Sequence, residues 1–289
     1  MADNARMASS PDLSPVAPHA GQRFLAIESS TDTLSVALGS GAVGDTVWSH
    51  TGPGAAQAST TLLPQVGALL DQAGWPLETL EAVVFARGPG SFTGLRTACA
   101  VAQGLAYGAQ ALGRAGGLPV LPVDTLLALA EEARFTVQQA SRTPPQCIVA
   151  LLDARMGELY VAVYITHPEG LQELAPARLC APQDLQAYVE ACLEPLNKMG
   201  SPGGLLNSPM TEVLWAGNAF SAYPALLAGR SVAPLTLLPT ASALLRLAPG
   251  LLASGAAVAA QDALPLYVRD KVAQTTAERE LLRTAAAGA

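Results

Sequence analysis

The sequence predicts an α/β protein built as two related lobes, each a mixed five-stranded sheet with flanking helices. Three observations predict it. Short apolar runs separated by turn formers open the folded part as a three-stranded meander. A helix, a wholly apolar strand and a second helix follow. At an offset of 125 residues the same order begins again.

The meander runs from Arg23: a strand (RFLAIE), a polar turn (SSTD), a strand (TLSVALG), a glycine turn and a third strand, Ala42 to Ser49 (AVGDTVWS). A helix is expected over Gln57 to Ala73, where Leu62, Leu63, Val66, Leu69 and Leu70 recur at helical spacing on one face. Glu81 to Ala86 (EAVVFA) reads as a strand buried on both faces, leading through a glycine turn into a helix that ends near Tyr107. Pro119 to Val123 makes a fifth strand, and Asp124 is placed to cap the helix TLLALAEEARF. In the second copy Glu28 aligns with Asp153, Leu34 with Leu159, Val36 with Val161 and Ala37 with Ala162, so a turn carboxylate ends the first strand of each. Strands QCIVALL, ELYVAVYIT and LQELAPARL, helix DLQAYVEACL, strand EVLWAG and a last helix complete it. Such a duplication is the arrangement of the actin and sugar-kinase superfamily, with two lobes facing a cleft. The expected limits are a flexible lead-in at 1–21, a first lobe at 22–118, a second lobe at 119–271 and a flexible tail at 272–289. Residues 194–210 read as an irregular loop.

At 289 residues and 50% hydrophobic content the chain can bury a large core. The longest uncharged apolar stretch, Leu247 to Ala260, is broken by Pro249 and Gly250 and is too short to span a membrane. The N-terminal residues carry no apolar signal core, so a cytoplasmic protein without membrane partners is expected. Cys99, Cys147, Cys180 and Cys192 lack metal-ligand spacing and suit core packing. The net charge of −7, with no run of Lys or Arg, predicts weak RNA binding by this chain alone. With three histidines, none beside another candidate ligand, a His-based triad or a two-His metal site is not expected.

The segment RGPGSFTGLR carries the chief functional signal. Gly88, Gly90 and Gly94 let the backbone turn sharply and approach closely, Ser91 or Thr93 can cap the following helix, and the free amides of its first turn would attract an anion. That is a phosphate cradle; a strand-to-helix turn that needs glycine for its geometry explains the same residues. Arg87 and Arg96 flank the turn and suit a phosphate, a partner's carboxylate or ordinary surface pairing.

Five segments, FLAIESSTDTLSVAL, QASTTLLPQVGALL, VVFARGPGSFTGLRTACAVAQGLAYG, LPVLPVDTLLALA and LLDARMGELYVAVY, resemble the TsaB family, with a fainter echo in PLYVR at 265–269. The resemblance implies an actin-like fold and a non-catalytic subunit that pairs with a catalytic TsaD-type paralogue. With a TsaE-type ATPase, that paralogue places threonylcarbamoyl on the adenosine beside the anticodon of ANN-decoding tRNAs. It further implies that tRNA is met only through the complex, and that no cofactor is held except ATP or ADP at the shared interface. In the catalytic paralogues two metal-binding histidines lie one turn apart on the first helix; Gln57 to Ala73 contains none. Glu28 and Asp153 hold the carboxylate positions of a relic nucleotide site, together with the glycine loop, but the two lysines, Lys198 and Lys271, lie far from them in sequence. The family's first strand ends in Asp where this chain has Glu28, a change that disturbs a metal site more than a structural cap.

The expected partner surface is the first two helices, with Arg87, Arg96, Leu62, Leu63, Val66, Ala98 and Ala102. Ala98, Ala102 and Ala106, four apart, permit close helix approach; an ordinary core stripe explains the spacing equally. An exposed helical face of this kind also suits a homodimer of the isolated chain. The competing function is a stand-alone ATP-dependent small-molecule kinase of the same fold.

Overall fold

The structure is a computed structural model that describes residues 21–54, 57–142, 145–168, 170–199, 213–227 and 233–269. The lead-in at 1–20, the tail at 272–289, residues 200–210 of the expected loop and both lysine side chains lie outside the described residues, and residues 194–199 of that expected loop are helical instead.

Strands β1 (Phe24–Glu28), β2 (Thr33–Gly39) and β3 (Trp48–Pro53) form the meander, and helix α1 covers Ala58–Ala73. Strand β4 (Ala82–Gly88), helix α2 (Phe92–Ala111) and strand β5 (Val120–Asp124) follow, with β1, β4 and β5 parallel. The first sheet therefore has the order β3-β2-β1-β4-β5. Helix α3 (Thr125–Gln139) leads to β6 (Cys147–Arg155), β7 (Glu158–His167) and β8 (Gly170–Cys180). Helix α4 (Leu185–Met199), strand β9 (Val213–Gly217) and helices α5 (Ala219–Ala222) and α6 (Ala241–Ala253) complete the chain. The second sheet has the order β8-β7-β6-β9, with β6 and β9 parallel. The repeated topology matches the duplicated two-lobed α/β fold expected from the sequence.

Period-two alternation separates three apolar layers. Phe24 and Ala26 of β1 face a central layer while Leu25 and Ile27 face α1 and α2; in β6, Ile148, Ala150 and Leu152 face the centre while Cys147, Val149 and Leu151 face α4 and α5. Between the sheets lie α3 and α6, whose Leu126, Leu129, Ala133, Leu244, Leu245 and Ala248 are buried with residues of both. A charged network ties these helices. Glu131, 2% exposed, accepts from Arg134 at 2.7 Å and from Arg246 at 2.9 Å, and Arg246 also reaches Glu132 at 2.6 Å.

Several expectations are corrected. The third strand lies at Trp48–Pro53 instead of Ala42 to Ser49, because Gly41 and Gly44 adopt positive φ and the Ser40 hydroxyl closes a turn on Asp45 at 2.5 Å. Val120–Asp124, placed in the second lobe by the boundary at 119, belongs to the first sheet, since β5 takes its hydrogen bonds from β4. Helix α6 also packs on β1, β2 and β4. Among the described residues the second sheet has four strands instead of five, and Leu235 makes a single parallel bridge to Ala216 of its β9 edge. Asp124 occupies the N-cap position of α3 without a capping hydrogen bond, its carboxylate being taken by Arg87. The four cysteines are free, three of them buried, and burial pushes the Cys147 thiol up to about 12.

Candidate functional site

The glycine turn sits where β4 hands over to α2, and it is pressed against the β1–β2 turn. A Cβ on Gly94 would lie 1.7 Å from the Ser29 carbonyl oxygen, and one on Gly90 2.4 Å from the Ser30 carbonyl oxygen. A Cβ on Gly88, at φ +127°, would lie 2.4 Å from the Leu266 carbonyl oxygen. Backbone segments from three parts of the chain thus meet at distances only glycine permits. The Ser91 amide donates to the Ser30 carbonyl at 2.7 Å, and the Ser29 hydroxyl donates to the Gly94 carbonyl at 2.9 Å. Ser91 stands at the N-cap of α2 but its side chain makes no cap bond, and Thr93 is exposed, its carbonyl accepting from the Thr97 hydroxyl. Ser91 makes no side-chain cap bond to the helix, and the β1–β2 turn supplies the acceptor for its amide.

Glu28 ends β1 beneath that turn, 1% exposed. Its Oε1 accepts from the Ser30 amide at 2.6 Å and the Ser30 hydroxyl at 2.5 Å, while Oε2 has no partner. Burial raises its pKa to about 7, against the opposing pull of the two Ser30 bonds. Asp153 plays the matching part in the second lobe. Its Oδ1 accepts from the Arg155 amide at 2.8 Å and the Tyr223 hydroxyl at 3.1 Å, and its own amide donates to the Asn218 side chain at 2.9 Å. Each carboxylate accepts hydrogen bonds from its own strand turn. The turns are joined through Arg155, whose guanidinium lies 2.7 Å from Asp32 of the β1–β2 turn and 3.6 Å from Asp153.

Arg87 pairs with Asp124 inside the chain. Arg96 donates to the Tyr267 hydroxyl at 3.1 Å and lies 5.6 Å from the Phe92 ring centre and 5.8 Å from that of Tyr267. The residues expected at a partner surface divide sharply. Ala98, Ala102, Leu62 and Val66 are buried at 0 to 2% exposure in the core beneath the first sheet, so the alanine stripe serves close packing of α2 on its own sheet. They cannot meet a partner while that core is intact. Leu63, 53% exposed, falls off the buried stripe of α1, and Tyr107 and Leu112 are exposed on and just after α2. Arg155, Asn218, Tyr223, Tyr267 and Arg269 were not singled out from the sequence. The segments DARMG, with Arg155, and PLYVR, with Tyr267 and Arg269, carry the resemblance, but the contacts of these five residues join positions 65 to 171 apart, for which local spacing gives no signal.

The comparisons with known proteins agree with this geometry. The family model described as TsaD, tRNA N6-adenosine threonylcarbamoyltransferase, matches residues 53–277. The tRNA threonylcarbamoyladenosine biosynthesis protein TsaB of Escherichia coli K12 is 32% identical over 259 residues, covering 87% of this chain and 96% of its own. That of Haemophilus influenzae is 38% identical over 138 residues, covering 47% of this chain and 51% of its own. Among solved structures, YeaZ from Pseudomonas aeruginosa superposes with a TM-score of 0.63 at 31% identity, covering 85% of this chain and 99% of that one. A second P. aeruginosa structure, described as similar to the peptidase YEAZ, gives 0.65 at 31% identity over 86% of this chain and all of that one. With duplicated sheets, paired strand-turn carboxylates and a glycine turn closed by its own backbone, this chain belongs to the TsaB family.

Proposed function

We propose that this protein is a non-catalytic subunit in the biosynthesis of threonylcarbamoyladenosine on tRNA, acting by binding and supporting a TsaD-type catalytic paralogue. The observation that carries the proposal is the filling of the glycine turn. A phosphate cradle needs the backbone of the turn open to a ligand, and here the Ser30 carbonyl takes the Ser91 amide while the Ser29 and Ser30 carbonyls press against Gly94 and Gly90. Glu28 and Asp153, the two carboxylates a nucleotide site would draw on, are already engaged in their own turns. Among the described residues, no group of three His, Cys, Asp or Glu side chains is placed to hold a metal ion. The same closure argues against the stand-alone kinase.

The proposed docking face is the exposed side of α1 and α2 with Leu63, Tyr107 and Leu112. ATP or ADP, where it enters, belongs at the surface shared with the partner, and a TsaE-type ATPase acts on the assembled pair. The isolated chain can use the same face to pair with itself. A net charge of −7 supports tRNA binding by the partner and not by this chain. No described helix is long and apolar enough to cross a membrane, and a cytoplasmic place fits the proposed substrate.

Depletion of the protein followed by nucleoside analysis of bulk tRNA tests the proposal. Loss of threonylcarbamoyladenosine, restored by adding the chain back, is expected; an unchanged level overturns it. Equilibrium dialysis of the purified chain with ATP and Mg²⁺ tests the non-catalytic part, and micromolar binding with turnover would overturn that.

A further inference from the structure

The segment Leu264–Arg269 runs from the glycine turn of the first lobe to the β6–β7 turn of the second and contacts both. It leaves the first lobe at Ala263, whose carbonyl accepts from Gln103 of α2 at 2.9 Å. The Leu266 amide then donates to the Arg87 carbonyl at 2.7 Å, and its own carbonyl lies against Gly88. Tyr267 stacks on Phe92 with ring centres 4.8 Å apart and interplanar angle 19°, beside Arg96. Two residues later the chain is on the other lobe. Arg269, 8% exposed, donates to the carbonyls of Ala154 at 3.1 Å and Arg155 at 3.3 Å, pairs with Glu158 at 2.7 Å and approaches the Met156 sulfur at 2.9 Å.

What Arg269 grips is an unusual turn. Arg155, Met156 and Gly157 take φ values of 62°, 56° and 78°, three successive left-handed residues of which only the last is glycine. Such a run persists only where its surroundings determine it from several sides. Asp153, Asn218 and Tyr223 hold it from its own lobe. Arg269 reaches it from a segment anchored on β4 and α2, with Nη2 at the two carbonyls and the Glu158 carboxylate and Nη1 at the Met156 sulfur. The Arg155 pair with Asp32 is a second link between lobes, but both side chains are more than two-thirds exposed and it is correspondingly weak.

We propose that Leu264–Arg269 is a strap that locks the two lobes together and carries displacement at the exposed side of α2 to the left-handed β6–β7 turn. The anchor residues Tyr267 and Arg96 are exposed and open to contact, whereas the far end is buried. A molecule that shifts the Phe92–Tyr267 stack must therefore pull on the Arg269 guanidinium.

Hydrogen exchange of the full chain, resolved by peptide, tests the strap without any partner and so stands apart from the proposed function. Arg269→Lys keeps the charge but offers one nitrogen, on a side chain one atom shorter, where the guanidinium has two at the turn. It is expected to speed exchange in a peptide spanning 153–160 at least tenfold while peptides of α4 and β9 keep their protection. Tyr267→Ala, altered only at the α2 end, is expected to speed exchange at the start of α2 and again in 153–160. A response to Tyr267→Ala confined to α2, or a turn that stays protected in Arg269→Lys, would overturn the strap. Uniform acceleration along the whole chain would also overturn it, since it would mean a loss of global stability and no transmission.

Discussion

Glu28 concentrates the tension between fold and charge in one side chain. Its folded pKa of about 7 lies above the ordinary carboxyl value of 4.5, so between these values the folded state keeps a proton that the unfolded state releases. The stability it contributes is full below pH 4.5 and is lost as pH rises through 7, by about 3 kcal/mol across that window. Urea unfolding at pH 4.5 and pH 8 is expected to show this decline, and Glu28→Gln is expected to flatten it; an equal slope in the variant would remove Glu28 as its cause. Gly94 makes a different demand. Gly94→Ala places a methyl group 1.7 Å from the Ser29 carbonyl and should destabilise by about 3 kcal/mol or prevent folding, measured by thermal unfolding. The sequence showed that both residues mattered, since a turn carboxylate and a glycine cluster are visible locally. It did not show what met them, because Ser29 and Gly94 stand 65 positions apart.

Helical period located the apolar stripes of α1 and α2 but could not say what covers them. A row of alanines at 98, 102 and 106 admits any close neighbour, and the first sheet occupies it. Ala98→Arg is accordingly expected to unfold the chain, which circular dichroism would show, whereas Leu63→Asp and Tyr107→Asp together should leave the fold intact and abolish co-purification with the catalytic paralogue. Retained co-purification would place the docking face elsewhere. Gly67, inside α1 with nothing within 4 Å of a built Cβ, offers the opposite test. Gly67→Ala should raise stability by about 1 kcal/mol. Between α3 and α6, Glu131 stands between Arg134 and Arg246 with only 3% of its side chain exposed. Glu131→Ala leaves two guanidinium groups without their shared carboxylate and should cost about 3 kcal/mol in urea unfolding.

At the scale of the molecule, the duplicated order of elements was legible because each strand and helix carries its own period and punctuation. The division into lobes was less so. A boundary after residue 118 followed sequence order, but parallel pairing sends β5 back to β4, and α6 returns to β1, β2 and β4 from the far end of the chain. Long-range returns of this kind leave no local mark. They also bear on how the protein comes into being. On the ribosome the strands of the first sheet emerge early, but the helix that covers their inner side, and Ala260 and Ala263 that join the layer beneath α2, are made only after residue 240. A nascent chain stopped before α6 should therefore stay sensitive to protease throughout its first half, and resistance should arrive in one step near the end of synthesis.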